Sequence, residues 1–509
     1  MNSFIVFSKK FFAFTICAVM LVSLLCSGMI TSYAADGGST EVPVPKIRVV
    51  TENGNGTSLQ KEDDYVNAHI TITDTDDSVL EDDAQFKVRG NTTAMTWVTK
   101  KAYTFKFAKK KDVLGMGKGK KWALIANAYD PTQMRNFLTF DLAQKLEIPF
   151  TSNQKYVELW VDDVYRGCYV LYEPVQEGKD RVDIDIESNE GKKDFLLEYE
   201  RSREEEGVTY FTTDYLRFIV SEPEEPTEEQ LQYVKDTVVD IIKAFKTGDK
   251  DTIAQKVDLS SFVKFYLLNE FVKPHDFDMS SVFFYYKDGK LYAGPPWDYD
   301  LSAGNSNADL SERCKNANDT QVTRCNQNFY KYIYDKQWFL DMAKEEYKKY
   351  HTDFCNMYQQ GGMIDTILEQ HGEMIQRNFD DTEWKATRWG INIQMQPLPT
   401  YERNVDYLKS WYSERHEWMI GHLGLMRIDY LKGDANNDGT VDVNDVTYVQ
   451  KLLARIISDD DGMIERRSNV LGGSLSVNDA TQLQRYLASY ENRLNINTPV
   501  SEVQDIPAA

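Results

Sequence analysis

Two aspartates occupy alternate positions in the segment Pro-Pro-Trp-Asp-Tyr-Asp, where Asp298 and Asp300 follow an apolar run that is typical of a strand. A third aspartate, Asp276, lies earlier, in Lys-Pro-His-Asp at the end of a predicted helix. Phosphoryl-transfer sites use a lysine to hold phosphates, one aspartate to orient the acceptor hydroxyl and another to bind Mg²⁺. The order of these residue types therefore indicates phosphoryl transfer, although each of these residues, taken alone, also has a purely structural interpretation.

The phosphate-holding lysine has two candidates in the strand-like segment Lys-Lys-Ala-Tyr-Thr-Phe-Lys-Phe. Alternation places Lys101 and Lys106 on opposite faces of the strand, and the sequence does not choose between them. Shortly before this segment, Arg89 and Asn91 belong to Arg-Gly-Asn, which could contact a nucleotide or form a structural turn. The Gly/Lys-rich segment 115–121 is more typical of a hairpin turn than of a phosphate-covering loop.

Other polar residues near these positions have open roles. Glu173 and Glu198 could each pair with a lysine or complete a metal shell. His275 is predicted to make a structural hydrogen bond. The position five residues after Asp276, where a kinase carries a metal-binding asparagine, is Ser281, a weaker ligand.

The C-terminal region contains a segment, Asp-Ala-Asn-Asn-Asp-Gly-Thr-Val-Asp-Val-Asn-Asp, with the spacing of a calcium loop. Hard oxygen ligands at positions one, three, five, seven, nine and twelve of such a loop surround Ca²⁺, and a glycine at position six makes the turn. The predicted ligands are Asp434, Asn436, Asp438, Thr440 (through its carbonyl), Asp442 and Asp445.

The calcium loop is followed by an amphipathic helix, and this loop-helix unit repeats with Asp445 aligned to Asp479. The second loop keeps Asp479 but lacks the other carboxylates, because Ser468, Val470, Gly472 and Ser476 occupy the matching positions. We therefore expect Ca²⁺ to bind the first loop, and the sequence does not decide whether the second loop binds it.

Charge and length limit the classes of function. Lys and Arg number 58 against 80 Asp and Glu, which gives a net charge of −22 and argues against a nucleic-acid partner. A length of 509 residues indicates several domains.

Residues 1–35 are predicted to be a signal peptide, with a membrane anchor as the alternative, and residues 36–45 a linker. No later segment resembles a membrane span.

Export would make disulfides feasible. Cys314 and Cys325 lie in one polar segment and could close a small loop, whereas Cys168 and Cys355 are predicted to be buried small hydrophobes. The six histidines are scattered, and no Cys/His cluster has the spacing of a zinc motif.

The elements that must position the aspartates are a run of strands to about residue 110, an amphipathic helix over 130–148 and a hairpin over 155–175. A helix then follows a Pro/Glu-rich break and continues to about residue 247. A second helix begins at an Asp-Ser cap, and a further hairpin turns at Lys-Asp-Gly before Asp298. Residues 327–430 are predicted to be mostly helical.

Taken together, these segments resemble the CotH (spore-coat protein H) kinase-like family, a divergent branch of the protein-kinase-like fold. The resemblance covers residues 46–430 and is carried by "RGNTT", "KKAYTFKF", "NAYDPTQMRNFLTFDLAQKL", "VELWVDDVYRGCYVLYEPV" and "NEFVKPHDFDMSSVFFYYKDGKLYAGPPWDYDLSAGN".

This resemblance implies a role for each candidate residue. Asp276 matches the family's catalytic aspartate, Asp298 matches its metal ligand, and Asp300 is a second candidate ligand for Mg²⁺ or Mn²⁺. Lys101, Lys106 and Arg89 are the candidates for binding ATP.

The duplicated unit over 432–490 resembles a dockerin, the calcium-binding module that attaches exported proteins to the cohesin of a scaffoldin. Val443-Asn444 and Val477-Asn478 recur at the positions that face cohesin in that family. Residues 491–509 are then a C-terminal tail. The expected fold class is α+β, an atypical protein-kinase-like domain followed by a small all-α calcium-binding dockerin.

Three functions remain in competition. The first is a secreted, cellulosome-docked kinase that transfers phosphate from ATP to Ser or Thr of exported proteins. The second is an inactive kinase-like module with a structural or binding role, which the Ser281 departure favours. The third is a polysaccharide-acting enzyme, because paired carboxylates also serve glycoside hydrolysis.

Overall fold

The computed structural model describes residues 42–187, 193–201, 203–306, 314–319, 328–381 and 397–506. Its N-terminal part consists of seven strands and one helix, α1. Their bounds are β1 (Lys46–Thr51), β2 (Val66–Thr73), β3 (Val79–Arg89), β4 (Ala102–Asp112), β5 (Lys118–Ile125), α1 (Arg135–Lys145), β6 (Gln154–Val161) and β7 (Val164–Tyr172).

The seven strands form a closed barrel in the order β1-β2-β3-β4-β5-β7-β6. The barrel closes where β1 runs parallel to β6, and the other pairs are antiparallel. Alternate side chains such as Phe86, Phe105 and Trp122 fill the interior. Outward-facing residues of β5 and β7, including Ala123 and Tyr172, pack instead into a second core. The outer wall of the barrel at β5 and β7 therefore faces the helical part of the chain.

In the described residues of the second part, a five-stranded sheet is combined with six helices. Their bounds are β8 (Phe195–Tyr199), β9 (Tyr210–Thr213), β10 (Leu216–Glu222), α2 (Glu228–Thr247), α3 (Lys250–Ala254), α4 (Leu259–Val272), β11 (Val282–Lys287), β12 (Lys290–Ala293), α5 (Gln337–Asn356), α6 (Met363–Asp380) and α7 (Tyr401–His422). The sheet has the order β12-β11-β8-β10-β9.

Helix α4 lies at the centre of this part, because every residue of it except Ser260 is buried. Its Glu270 pairs with Arg415 of α7, with 2.7 Å between Oε1 and Nη2, and both side chains are fully buried. A buried ion pair is tolerated only when its remaining hydrogen bonds are satisfied, and Arg415 Nε also donates to the Glu270 carbonyl. The end of α4, where the chain turns toward Asp276, is thereby held in place.

The C-terminal part begins with β13 (Leu425–Leu431) and continues through α8 (Val443–Leu453), α9 (Met463–Ser468) and α10 (Val477–Leu487) to β14 (Pro499–Asp505). Val446 and Val449 of α8 share a small core with Leu483 of α10. Strands β13 and β14 pair antiparallel along their whole length.

Several predictions from the sequence are confirmed. The fold class is α+β, and both predicted hairpins form, with paired turns at Asp162-Asp163 and Asp288-Gly289 that adopt positive φ. The Asp258 side chain caps α4, as the Asp-Ser cap predicted, and the structure adds a capping box at Thr227 before α2. Cys168 and Cys355 are buried, as expected.

The structure differs from expectation in two elements. The amphipathic helix predicted over 130–148 begins only at Arg135, because Asp130 and Thr132 hydrogen-bond the backbone in a turn before it. The residues predicted as a tail contain β14, since β13 offers them a free edge.

The described residues include no helix that is both long and apolar enough to cross a membrane. The predicted signal peptide lies outside the described residues, and so does Cys325, the suggested disulfide partner of Cys314. Both therefore stay predictions.

Candidate functional site

Asp298 follows β12 and has an unusual backbone conformation. Its φ is +66°, which non-glycine residues adopt only when the surroundings enforce it. The next residue supplies that enforcement, because the Tyr299 N–H donates to Asn136 Oδ1 at 2.7 Å and its hydroxyl donates to Asn269 at 3.1 Å. Asp298 is exposed while Tyr299 and Asp300 are buried. The strained turn therefore leaves Asp298 accessible between buried neighbours, while the protein around it still desolvates its carboxylate.

Asp276 reaches the same place from the end of α4. Lys273 ends that helix in a left-handed conformation, and the His275 N–H donates to the Leu301 carbonyl at 2.8 Å. The Asp276 carbonyl accepts from the N–H groups of Met279 and Ser280, so the segment forms a tight turn. His275 Nε2 lies 3.8 Å from Asp276 Oδ1, and the Asp276 side chain keeps 34 % of its surface exposed. A second backbone hydrogen bond, from the Ala303 N–H to the Val272 carbonyl at 2.7 Å, also joins the segments that carry Asp276 and Asp298.

The aspartates influence one another electrostatically. The pKa of Asp298 is raised to about 6: desolvation by the surrounding protein is the largest cause, the charge of Asp276 contributes in the same direction, and Arg89 and Arg203 oppose the rise. Burial raises the pKa of Asp300 well above its usual range, and the charges of Asp298 and Asp276 act in the same direction. Carboxylates that repel one another in this way gain stability from a proton or a divalent cation.

Glu198 of β8 belongs to the same cluster. Its pKa is raised to about 7: burial is the largest cause, the charges of Glu200 and Asp298 contribute in the same direction, and Arg203 opposes the rise. Arg203 Nη2 lies 3.7 Å from Glu198 and 2.5 Å from the fully buried Glu200. The carboxylate cluster therefore consists of Glu198, Asp276, Asp298 and Asp300, which come from β8, the turn after α4 and the segment after β12.

Ser281, at the position where a kinase has asparagine, contacts Glu198 of this cluster through its backbone. Its φ is +60°, and its N–H hydrogen-bonds the Glu198 carboxylate. The residue thus orients Glu198 through its backbone.

The barrel supplies positive charge to this cluster. Arg89, at the end of β3, lies with its guanidinium carbon 5.0 Å from the centre of the Trp297 ring and interacts with the Asp298 carboxylate. Trp297 is partly buried and serves as this stacking surface.

The two candidate lysines are in different environments. Lys101 is buried, and its Nζ donates to the carbonyls of Ala94 at 2.9 Å and Met95 at 2.5 Å. Lys106 is exposed and pairs in register with Lys121 of β5. Burial lowers the pKa of Lys121, and the nearby charges of Arg89 and Lys106 lower it further. Arg89, Lys121 and Lys106 therefore form a basic row on the barrel, whereas Lys101 holds the loop before β4.

Lys121 is a functional candidate that sequence reasoning missed. The strand alternation already placed Lys106 on the same face as Thr104, but only the register of β4 against β5 brings Lys121 opposite it.

A second missed feature is the segment 127–136, which positions the aspartates. Asp130 and Arg135 are fully buried, with 2.5 Å between Oδ1 and Nη1. Arg135 Nε also donates to the Ser302 carbonyl at 3.0 Å, and Asn305 Nδ2 donates to the Asp300 carbonyl at 2.7 Å. We call Asp130 and Arg135 the buried clamp. Its signal in the sequence is the density of polar residues immediately before the amphipathic helix.

Other predicted residues lie in different surroundings. Glu173 is buried and accepts from the backbone and side chain of Asn153, at 2.8 and 2.9 Å. Asn91 accepts from Lys61. The Gly/Lys-rich segment packs against the turn at Asp180, where the Lys118 N–H donates to a carboxylate oxygen at 3.0 Å. These contacts are structural, and Asp278 is also buried.

The predicted calcium loop is folded around its own carboxylates. Asp434 accepts from the N–H groups of Asp438 and Gly439, at 3.1 and 2.8 Å, and Asp445 accepts from those of Asn436 and Asp442, at 3.1 and 2.7 Å. Gly439 has a φ of +88°, as the turn requires. The oxygen-rich donor set fits a hard cation such as Ca²⁺.

The second unit repeats this framework with only one of the matching carboxylates, Asp479. Asp479 accepts from the N–H groups of Leu471 and Ser476, at 3.0 Å each. Val443 and Val477 lie at the beginning of α8 and α10 and are 65 % and 66 % exposed. The two units therefore present equivalent apolar residues to solvent, each beside an asparagine.

Comparison with known protein families gives one match. Residues 86–419 match the model of a family described as CotH kinase protein. No curated protein matches the chain. The matched region contains Arg89, the lysines and the whole carboxylate cluster, and it ends before the predicted calcium loop.

Proposed function

The chain belongs to the CotH kinase protein family, and on that premise we propose that it transfers a phosphoryl group from ATP to Ser or Thr hydroxyls of exported proteins. One observation carries this proposal. Carboxylates from three separate segments converge beside Arg89, which belongs to a basic row of the barrel. Phosphoryl transfer needs both groups, because the basic residues must hold the anionic phosphates while a carboxylate receives the proton of the acceptor hydroxyl.

Each side chain has a role in this proposal. Lys106, Lys121 and Arg89 hold the phosphates of ATP. Asp276 accepts the proton of the acceptor hydroxyl, whose oxygen bonds to the γ-phosphorus as the bond to the ADP oxygen breaks.

Asp298 and Asp300 are the residues that would hold Mg²⁺ or Mn²⁺, and Glu198 lies close enough to Asp298 to influence it. When bound, the ion neutralises the phosphate charge. The raised pKa values of both aspartates support this assignment, because a cation relieves their repulsion.

We also propose that the chain is exported and docked. The sequence of residues 1–35 supports export, and the 432–490 repeat supports a dockerin that binds a cohesin of a cellulosome scaffoldin through Val443, Asn444, Val477 and Asn478. The exposure of both valines and the Ca²⁺-type loop support this interface.

An inactive, structural kinase-like module is the second candidate. Ser281 favours it, because this residue replaces a metal-binding asparagine and its backbone serves Glu198 instead. Loss of one metal ligand would weaken catalysis while leaving a nucleotide-binding surface.

Label transfer from γ-labelled ATP tests the proposal. We expect the full chain with Mg²⁺ or Mn²⁺ to label itself or exported proteins, and Asp276→Asn to abolish transfer while ATP binding persists. Asp236→Asn, an exposed carboxylate on α2, is the matched control and should remain active. Binding of ATP without any transfer by the wild-type chain would instead support the inactive module.

A further inference from the structure

A group of metal-binding side chains lies between two helices of the second part, apart from the carboxylate cluster. His351 and Cys355 are one turn apart on α5, and His416 faces them from α7. Their ligand atoms all lie within 4.8 Å of one another. The three residues are 2 %, 5 % and 0 % exposed, so they are held inside the protein.

The separations between these atoms suit a tetrahedral ion. With the nitrogens that contact hydroxyls set aside, Cys355 Sγ lies 3.9 Å from His416 Nε2, and His416 Nε2 lies 3.1 Å from His351 Nδ1. Zinc bonds of about 2.0–2.1 Å to nitrogen and about 2.3 Å to sulfur give tetrahedral edges of about 3.3–3.6 Å. We propose that His351, Cys355 and His416 bind a Zn²⁺ ion through Cys355 Sγ and one nitrogen of each imidazole.

The neighbouring hydroxyls fit this assignment. Tyr358 Oη lies 2.8 Å from His416 Nδ1, and Ser501 Oγ lies 3.4 Å from His351 Nε2. Metal-bound imidazoles are usually oriented by such partners, and a hydroxyl or a water can fill the fourth position. Tyr358 and Ser501 are only partly buried, so water can reach this side. The two facing ring nitrogens cannot both carry hydrogen at 3.1 Å, so at least one lone pair points into the group.

The surrounding charges permit a cation. Arg427 lies nearby, but its guanidinium is paired with Glu417 at 2.6 Å and Asp429 at 2.8 Å.

The position of the ion has a structural consequence. Ser501 belongs to β14, which follows the duplicated unit, while the ligands belong to α5 and α7. An ion at this place would stabilise the attachment of the C-terminal strand to the helices. The sequence shows no zinc motif, because His416 lies more than sixty residues after His351 and Cys355 and only the packing of α5 against α7 brings the three together.

Metal content and cobalt spectroscopy of the full chain test the site. Excess Ca²⁺ and Mg²⁺ are added so that they, and not zinc, occupy the carboxylate sites. The zinc content of the protein is then measured by mass spectrometry. We expect about one Zn²⁺ per wild-type chain. Cobalt substitution should give a thiolate-to-cobalt charge-transfer band, which carboxylate sites cannot produce.

Matched cysteine variants assign the band. Cys355→Ser should lose the band and lower bound zinc about tenfold, whereas Cys168→Ser, which changes another buried cysteine, should keep both. X-ray absorption of the wild-type zinc protein needs no variant and should show sulfur and nitrogen neighbours. A folded wild-type chain without stoichiometric zinc, or a band that persists in Cys355→Ser, would overturn the proposal.

Discussion

Asp298 combines an exposed carboxylate, a strained backbone and a second carboxylate, Asp276, beside it. The pKa of its carboxyl rises from an ordinary value of 3.8 to about 6. A carboxyl whose pKa is raised by folding costs stability when it ionises. This cost is absent below about pH 4, grows between pH 4 and 6, and is complete above pH 6.

The first prediction follows from this loss of stability when Asp298 ionises. In metal-free protein, Asp298→Asn should raise the melting temperature at pH 7 and leave it unchanged at pH 4, because only the ionised carboxylate is destabilising. Thermal unfolding across that range measures the difference, with Asp236→Asn as a control that should show no such pH dependence. Equal melting temperatures of wild type and Asp298→Asn at pH 7 would contradict the electrostatic account.

The second prediction separates the two lysines. Lys106→Ala should raise the KM for ATP about tenfold without loss of stability, since Lys106 is exposed and belongs to the basic row. Lys101→Ala should instead lower the free energy of unfolding by about 1–3 kcal/mol, because two carbonyls lose their donor. Steady-state kinetics and urea unfolding measure the two effects. An unchanged KM in Lys106→Ala would remove this residue from the nucleotide site.

At the scale of elements, the buried clamp holds the segment that carries Asp298 and Asp300. Arg135 joins the beginning of α1 to the carbonyls of Ser302 and Ala303, and Asp130 balances its charge. The aspartates are therefore positioned by a turn distant in sequence.

The third prediction concerns this clamp. Arg135→Met should lower the free energy of unfolding by about 3–5 kcal/mol, because it leaves the buried Asp130 without its partner. The double variant Asp130→Asn/Arg135→Met should cost less than the sum of the two single variants. Urea unfolding measures all three proteins. Strict additivity would show that the two residues act independently.

The fourth prediction concerns the calcium loop. Asp434→Asn should lower Ca²⁺ affinity at least about tenfold and increase amide exchange in α8, because this carboxylate organises the loop before that helix. Ser474→Ala changes an exposed residue of the second unit and should leave calcium binding unchanged. Calorimetry and hydrogen exchange measure the two effects. Retained calcium affinity in Asp434→Asn would rule out the predicted ligand set.

Sequence reasoning predicted these elements unevenly, for physical reasons. Hairpins and helix caps depend on residues that are neighbours in the chain, so Asp288-Gly289 and Asp258 were sufficient signals. The aspartates were recognised by type and order. Lys121, the buried clamp and the His351–Cys355–His416 group were missed because strand register and helix packing join residues distant in sequence.

At the scale of the whole molecule, β14 ties the end of the described chain to the helical part. Asp505 pairs with Lys344 at 2.5 Å and with Lys348 at 3.0 Å, both on α5. Exposed ion pairs contribute little, so most of the attachment comes from the β13–β14 hydrogen bonds.

The fifth prediction tests this attachment. Removal of residues 499–509 should increase amide exchange in β13 and loosen the duplicated unit, since β13 loses its partner strand. Removal of 507–509 alone leaves β14 intact and should have no effect. Hydrogen exchange followed by mass spectrometry compares the two proteins. Equal protection of β13 in both would show that β14 does not support this region.

The central claim is that the carboxylate cluster and the basic row form one site for a nucleotide and a divalent cation. Calorimetric titration of Mn²⁺ and ATP into the full chain tests it most directly, with Asp298→Asn and Asp236→Asn compared. We expect the wild type and Asp236→Asn to bind ATP in a Mn²⁺-dependent manner, and Asp298→Asn to lose that dependence. ATP binding that is absent, or that is equally Mn²⁺-dependent in Asp298→Asn, would contradict the account.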